Sequence, residues 1–405
     1  MARQVGRPRA TRFRESGSPA TAQLSSPAPV LQTKLFVPPP RPDVIARPRL
    51  AEEINRALTR KLTLIAAPPG FGKTTLLSSW CQSPAESQVL LGWVSLDPGD
   101  NDPSRFWTYV LTALDQLQPG VAAGPLAALA SAGQSPSPPI EGLLSAVLNG
   151  MSGLASDAVL VLDDYHVIES QPIHQGLNFL IEHLPACLHF MISTRADPPL
   201  PLARLRARGD LTEIRAADLR FTPDETATFL NETMGLQLDA RSVAALEART
   251  EGWIAGLQLA ALALRDHADV PGFIGAFTGN NRYVLDYLGE EVISRQPPYL
   301  QTFLLRTSVL GRICAPLCDA VVGQDPTVLN KPACQSILEG LERANLFIVP
   351  LDDERRWYRY HQLFRDVLQG QLRLAESVET IAGLDRKSTR LNSSHIQKSR
   401  MPSSA

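Results

Sequence analysis

A glycine-containing loop between an apolar strand and a helix constrains this chain more than any other feature. The apolar run Leu62–Ala66 predicts a buried strand, and a helical pattern begins near Thr74. Between them the sequence reads Ala67-Pro68-Pro69-Gly70-Phe71-Gly72-Lys73-Thr74-Thr75. Gly70 and Gly72 let the backbone curl so that its N–H groups and the helix N-terminus face an anion. This order predicts a phosphate-binding loop of the Walker A type, with Ala67 at a position that often carries Gly.

The same loop supplies the side chains that a nucleotide requires. Lys73 is placed to pair with β- and γ-phosphates, and the Thr74 hydroxyl is placed to ligate magnesium. We therefore expect residues 67–75 to bind ATP or ADP together with Mg²⁺.

A second apolar strand ends in two acidic residues. Ala158–Leu162 is followed by Asp163 and Asp164, which is a Walker B pattern. Asp163 is expected to hold the magnesium with Thr74, and Asp164 lies where a carboxylate would polarise the attacking water. Since Asp is one methylene shorter than Glu, the sequence leaves efficient hydrolysis open.

Two further residues are candidates for contact with the phosphates. Arg195 follows the strand Phe190–Ser193 and has the planar guanidinium suited to bidentate phosphate contact, or else it pairs at the surface with Asp197. His361 lies where a predicted hairpin meets a helix. Its imidazole either donates to a bound diphosphate, or it only caps the helix or packs on Trp357. Arg204, Arg206 and Arg208 fit a solvated face better than a phosphate site.

The pattern of predicted elements divides the chain into five parts. Strands and helices alternate from Leu50 to Phe221, which predicts an α/β fold with a parallel sheet and helices on both faces. A low-complexity connector is expected at residues 119–139. Helices follow from Thr222, and two β-rich runs at residues 346–351 and 356–360 predict a hairpin and hence a winged helix. The expected parts are a disordered tail (1–31), a nucleotide-binding domain (32–221), a helical lid (222–295), a winged-helix domain (296–385) and a tail (386–405).

The last of these parts differs in character from the rest. Residues 386–405 share no pattern with the preceding helix and resemble translated read-through of non-native sequence. On this interpretation the natural chain continues past about residue 385.

Composition limits the remaining function classes. The formal net charge of −2 gives no general attraction to nucleic acid, and the acidic hairpin turn Asp352-Asp353-Glu354 would repel phosphate. The longest apolar helical run, residues 253–264, is too short to span a bilayer, and no secretion leader is visible. Five scattered cysteines fit reduced thiols rather than a zinc site. We therefore expect a cytoplasmic protein without a membrane partner or direct nucleic-acid binding.

Several strings together resemble the bacterial STAND ATPases, specifically the maltose-regulon activator type of large ATP-binding LuxR-family regulator. These are residues 70–76, 92–97, 163–166, 193–195, 252–259 and 360–364, in this order and spacing. The resemblance implies that ADP holds a closed monomer, whereas ATP with an inducer favours an open form that self-associates. It also implies that Arg195 senses the γ-phosphate, that His361 touches the nucleotide at rest, and that residues 44–47, with Arg47, line the adenine pocket. The inducer-binding repeats and DNA-binding helix-turn-helix of such regulators are expected beyond the end of this chain.

Two other functional classes remain open from the sequence. The chain could be a stand-alone AAA-like ATPase that hydrolyses continuously, or a protein-interaction scaffold in which the nucleotide is structural. Rapid ATP turnover by the purified protein would distinguish a stand-alone ATPase from a switch.

Overall fold

A five-stranded parallel sheet organises the first half of the chain. The computed structural model describes residues 30–39, 44–82, 89–131, 139–265, 269–322, 332–384 and 386, so most of both predicted tails lies outside the described residues. The strands are β1 (Leu62–Ala66), β2 (Leu90–Ser95), β3 (Ala158–Asp163), β4 (Leu188–Thr194) and β5 (Leu211–Arg215). Their order is β2-β3-β4-β1-β5, with every neighbouring pair parallel. The predicted α/β fold is confirmed, and β4 separates the two motif strands β1 and β3.

Helices cover both faces of this sheet. They are α1 (Pro48–Ala57), α2 (Lys73–Cys81), α3 (Pro103–Leu117), α4 (Ala123–Ala130), α5 (Ile140–Met151), α6 (Gln171–Glu182), α7 (Leu202–Arg208) and α8 (Ala216–Leu219). Alternate strand residues enter two separate cores: Leu160 packs in one, and Val159 and Val161 pack in the other. Burial on both faces explains why these strands are continuous apolar runs rather than alternating ones.

The predicted low-complexity connector is partly wrong. Residues 123–130 form α4, which packs against α3 and α5. Alanine is the strongest helix former, so an Ala-rich run becomes a helix once neighbouring helices offer an apolar surface. Residues 132–138 of the connector lie outside the described part.

Helices replace strands after residue 221. The helices are α9 (Pro223–Thr228), α10 (Ala240–Thr250), α11 (Ile254–Leu264), α12 (Val270–Ala276), α13 (Arg282–Leu288), α14 (Pro298–Thr307) and α15 (Ala315–Val322). The start of α9 follows the sequence prediction: Thr222 Oγ1 accepts the Glu225 N–H at 3.2 Å, and the Glu225 carboxylate accepts the Thr222 N–H at 3.0 Å. Single π-helical turns follow α9 at Phe229–Thr233 and α13 at Gly289–Ile293.

A short antiparallel hairpin lies between the last two long helices. Its strands, β6 (Ile348–Pro350) and β7 (Tyr358–Tyr360), join α16 (Cys334–Arg343) to α17 (Gln362–Ala375). Tyr358 also bridges to Ile313, which attaches the hairpin to the segment after α14. The predicted winged helix is therefore present, whereas the domain boundaries drawn at residues 221 and 295 stay predictions.

No helix among the described residues has both the length and the apolar character needed to cross a membrane.

Candidate nucleotide-binding site

The loop after β1 has the backbone shape that its glycines predict. Gly70 has φ of 79° and Gly72 has φ of 75°, both in the left-handed region that favours glycine. Gly72 directly precedes α2, so the free N–H groups of the first helical turn face the concave side of the loop. Residues 67–72 thus form a cradle for an anion at the carboxyl edge of the sheet.

Lys73 is buried within this cradle. Its ammonium group donates to the carbonyl oxygens of Ala67 at 2.9 Å and Pro68 at 3.1 Å. Burial lowers the pKa of Lys73 to about 8, against the opposing attraction of Asp164, while the nearby charge of Arg195 lowers it further. A buried ammonium held only by carbonyl dipoles gains strongly from an anionic ligand, so the donor set fits a phosphate.

Thr74 and Asp163 meet across the edge of the sheet. The Thr74 hydroxyl lies 2.9 and 3.1 Å from the two carboxylate oxygens of Asp163, and the Ser193 hydroxyl donates to the same carboxylate. Burial raises the pKa of Asp163, and so does the neighbouring charge of Asp164. Hydroxyl and carboxylate oxygens are the ligands that Mg²⁺ prefers, so these residues fit the predicted metal. Ser193 at the tip of β4 was not singled out from the sequence.

Asp164 has a left-handed backbone directly after β3. Its φ is 59°, and its N–H donates to the Ser193 hydroxyl at 3.0 Å. The carboxylate is about half exposed, and the Nδ1 atom of His166 lies 3.6 Å from it. Burial lowers the pKa of His166 to about 3, and the charges of Arg195 and Lys73 reinforce the shift. Sequence reasoning gave His166 no role, although its position two residues after Asp164 was a usable signal.

Arg195 does not pair with Asp197. Its guanidinium lies 3.1 Å from the Glu291 carboxylate in the π-helical turn that follows α13, whereas Asp197 pairs with Arg215 on β5. The predicted alternative, a surface ion pair between Arg195 and Asp197, is therefore wrong. Because the chain turns after β4, the two side chains reach different elements. The Arg195 carbonyl also accepts a hydrogen bond from the Asn345 side chain at 3.1 Å.

His361 is buried between the lid and the winged helix. Its Nε2 lies 2.9 Å from the Thr250 carbonyl, while its Nδ1 is buried and has no hydrogen-bond partner among the described residues. Its ring packs edge-on to Trp253 and Phe347 rather than on Trp357, and its side chain makes no capping bond to α17. Two of the predicted alternatives, that His361 caps the helix and that it packs on Trp357, are therefore wrong, because the ring points inward to the aromatic core.

Trp253 joins this aromatic group to the phosphate loop. Its indole Nε1 donates to the Pro69 carbonyl at 3.1 Å, and the Ala255 N–H donates to the Gly70 carbonyl at 3.0 Å. Phe71 lies 6.1 Å from Phe347 between ring centroids. Two lid residues and one winged-helix residue thus contact the loop directly.

A mostly apolar cavity of about 440 Å³ opens beside the loop. Its walls come from residues 44–48, the first two turns of α2 and the lid, and include Ala46, Arg47, Thr75, Trp80 and Gln258. Arg47 donates to both Glu225 carboxylate oxygens at 3.2 Å and lies over the Phe221 ring. Burial lowers the pKa of Arg47, against the opposing effect of Glu225. Its side chain therefore fastens residues 44–47 to the lid as one wall of the cavity.

Known proteins match both halves of this architecture. A family model described as the MalT winged helix domain matches residues 289–380. The transcriptional regulator MalT of Vibrio cholerae is 33% identical over 343 residues, which cover 84% of this chain and 36% of that protein. The serine/threonine-protein kinase PknK of Mycobacterium tuberculosis is 30% identical over 380 residues, covering 94% and 33% respectively. The chain thus spans about a third of the length of the curated relatives it matches.

A solved structure supports the fold. The Walker-type ATPase PABY2304 of Pyrococcus abyssi superimposes with a TM-score of 0.53 at 14% identity, covering 82% of this chain and 97% of that one. With its Walker motifs at the carboxyl edge of a parallel sheet and its winged helix packed against them, the chain is similar to MalT over most of its own length and carries the MalT type of winged-helix domain.

Proposed function

We propose that this chain is the ATP/ADP-binding switch module of a bacterial transcriptional regulator. The observation that carries the proposal is the meeting of Lys73, Thr74 and Asp163 at a loop with two left-handed glycines, beside an apolar cavity of about 440 Å³. An anion cradle, a hard-oxygen pair and an apolar slot together match the three parts of a nucleotide with magnesium.

Each residue at the edge of the sheet has one task in this proposal. Lys73 exchanges its carbonyl partners for phosphate oxygens. Thr74 and Asp163 hold the magnesium, whose charge neutralises the phosphates and stabilises the charge that develops during transfer. Asp164, half exposed and next to His166, orients water for hydrolysis, and Arg195 contacts the γ-phosphate.

The contacts above the loop support a closed form at rest. Trp253 holds Pro69, Phe347 packs on Phe71, and Glu251 binds Arg359 of the hairpin through two contacts of 2.7 and 2.8 Å. Lid, hairpin and phosphate loop are thereby one packed unit in this conformation. We propose that ADP favours this unit, and that ATP with an inducer favours an open form that self-associates.

The winged helix acts as a cover in this proposal rather than as a DNA reader. Phe347 and His361 point into the aromatic group beside the loop, and the hairpin turn presents Asp352, Asp353 and Glu354. An acidic tip repels the phosphates of nucleic acid.

The relatives support a switch whose output is separate from it. A transcriptional regulator and a protein kinase match the same stretch of this chain, although their names state different activities. The shared stretch is therefore the input and switching part. The output as transcription control is inferred from the regulator, whose winged-helix family is the one matched.

Nucleotide extraction and turnover test the proposal. The purified chain is denatured, its bound nucleotide is identified by chromatography, and steady-state hydrolysis is measured with Lys73→Ala as the matched control. A switch retains ADP through purification and shows negligible steady-state turnover. Rapid multiple turnover would instead identify a stand-alone ATPase. Binding without any difference between ADP and ATP in protease sensitivity would identify a scaffold.

A further inference from the structure

The ion pair between Arg195 and Glu291 joins the sheet edge to the lid. The Arg195 Nη2 atom lies 3.1 Å from a Glu291 carboxylate oxygen, and Nη1 lies 3.4 Å from the Glu291 backbone carbonyl. Both terminal nitrogens of the guanidinium are thus directed at one lid residue. These are the same two donors that a bidentate phosphate contact requires.

Glu291 lies in an irregular helical segment at the start of the residues that the winged-helix family model matches. The π-helical turn Gly289–Ile293 directly follows α13, and such turns are frequent at functional sites. On α13, the Tyr287 hydroxyl lies 3.0 Å from the point where a Cβ on Gly70 would stand. The Tyr287 ring also packs 5.8 Å from that of Trp253. The position of α13 and the turn after it therefore depends on how closely these helices pack on the phosphate loop.

Arg195 lies close enough to the side chains of the proposed phosphate site to affect their protonation. Its positive charge lowers the pKa of Lys73 and of His166, in each case secondary to burial. Arg195 directly follows β4, the strand that lies between the two motif strands. A γ-phosphate seated near Lys73 would consequently attract the Arg195 guanidinium away from Glu291.

We propose that Glu291 is a positioning and specificity-determining residue that makes the closed form prefer ADP to ATP. It does so by holding the two terminal donors of Arg195, which ATP requires and ADP does not. A ligand shifts a two-state equilibrium only by its difference in affinity for the two states, and competition for Arg195 supplies such a difference. The inference rests on the proposed nucleotide switch.

Arg295 makes the exchange reversible. It lies 2.9 Å from the other carboxylate oxygen of Glu291, one helical turn further along. When Arg195 moves to the γ-phosphate, Glu291 keeps a cationic partner and is not left as an uncompensated charge. The Arg195 and Glu291 side chains are 25% and 32% exposed, so their pair is moderate in strength and open to competition.

Nucleotide affinities of charge-neutral variants test the proposal. Dissociation constants for ADP and for a non-hydrolysable ATP analogue, both with Mg²⁺, are measured by calorimetry on the full chain and on Glu291→Gln. We expect the affinity for the ATP analogue to rise about two- to fivefold, the range for a partly exposed ion pair, with the ADP affinity unchanged. Glu290→Gln is the matched control, since Glu290 is the exposed neighbour on the same turn and forms no ion pair among the described residues.

A double-mutant cycle separates competition from a general loosening of the lid. In an Arg195→Gln background, Glu291→Gln should leave the ratio of the two affinities unchanged, because the contested donors are absent. Glu291→Ala provides a second variant of the same prediction, and thermal unfolding verifies that each protein is folded.

The failures are distinguishable. Absence of nucleotide binding by the unmodified chain removes the proposed function. If that chain binds both nucleotides, equal changes with ADP and the analogue overturn the role of Glu291 alone. A shift that persists without Arg195, or no shift in either Glu291 variant, overturns it as well.

Discussion

The carboxyl edge of the sheet and the helical cover above it, which comprises the helices after residue 221 and the winged helix, are held in place by different kinds of contact. At the edge, Lys73, Thr74 and Asp163 follow strands whose parallel hydrogen bonding fixes where each side chain starts. The cover reaches the same loop from residues more than 180 positions away, through a few polar and aromatic contacts such as Trp253 to Pro69. The edge is therefore preorganised to bind phosphate, whereas the proposed switch requires the cover to leave it. This contrast implies that the edge determines whether a nucleotide binds and that the cover determines which nucleotide is preferred.

The largest expected effect tests the edge. Lys73→Ala removes the buried ammonium, and we expect about 2–5 kcal/mol of binding free energy to be lost for ADP and ATP alike. Calorimetry on both nucleotides measures it. Lys61→Ala is the matched control, since Lys61 lies at the opposite end of β1 and binds the Glu182 carbonyl. An unequal loss for the two nucleotides would break the division of labour between edge and cover.

The edge was predictable from the sequence because its determinants are local. Gly70, Gly72 and Lys73 lie within four residues of each other, and Asp163 follows a short apolar run that is typical of a buried strand. The strand order could not be predicted, because no local sequence pattern specifies that β4 lies between β1 and β3. For that reason the contact of Ser193 with Asp163 emerged only in three dimensions.

The cover was predictable in outline alone. The start of its helices near Thr222 and its hairpin were both predicted from the sequence. No short-range signal connects Arg195 with Glu291, which is 96 residues away, so the nearby Asp197 was the natural but wrong partner. The inward turn of His361 toward Trp253 likewise depends on how the hairpin packs, which residue spacing does not encode.

The next effect concerns His361, at the centre of the cover. Burial lowers its pKa to about 4 from 6.5, opposed by Glu251 and reinforced by Arg220 and Arg359. Because its folded-state pKa is the lower one, the unfolded chain binds the extra proton between pH 6.5 and 4. Stability is therefore complete above pH 6.5 and is lost as the pH falls through this window.

We expect His361 to account for a loss of roughly 2–3 kcal/mol of unfolding free energy at pH 4.5. Urea unfolding at pH 7.5 and 4.5 measures the free energy of unfolding at each pH. Between these two pH values, His361→Asn should lose less unfolding free energy than the unmodified chain, and the difference should equal the loss given above. His183→Asn, on the exposed end of α6, serves as the control. Identical pH dependence in His361→Asn and the unmodified chain would mean that the cover does not bury a neutral imidazole.

A smaller effect separates the metal from the phosphates within the edge. Asp163→Asn removes charge from the Thr74 pair, and we expect about 1.5–3 kcal/mol to be lost from binding in Mg²⁺ but little in a chelator. Titrations of ADP under both conditions measure the difference. Asp157→Asn, at the exposed opposite end of β3, is the control. Equal losses in both conditions would make Asp163 a structural residue.

The smallest effect tests the contact between cover and edge itself. Trp253→Phe keeps an aromatic ring beside His361 and Phe347 but removes the Nε1 hydrogen bond to the Pro69 carbonyl. Loss of one such bond is worth about 1 kcal/mol, which should let the cover lift roughly fivefold more often. Hydrogen exchange of the amides in residues 67–72 measures this lifting in the presence of ADP. Trp93→Phe is matched to it, because Trp93 is also buried but donates within its own strand to Ser95 at 2.8 Å. Faster exchange confined to the Trp253 variant would show that the cover is held by contacts independent of the sheet. Equal acceleration in both variants would mean that the loop opens only with global unfolding, and edge and cover would then be one cooperative unit rather than two.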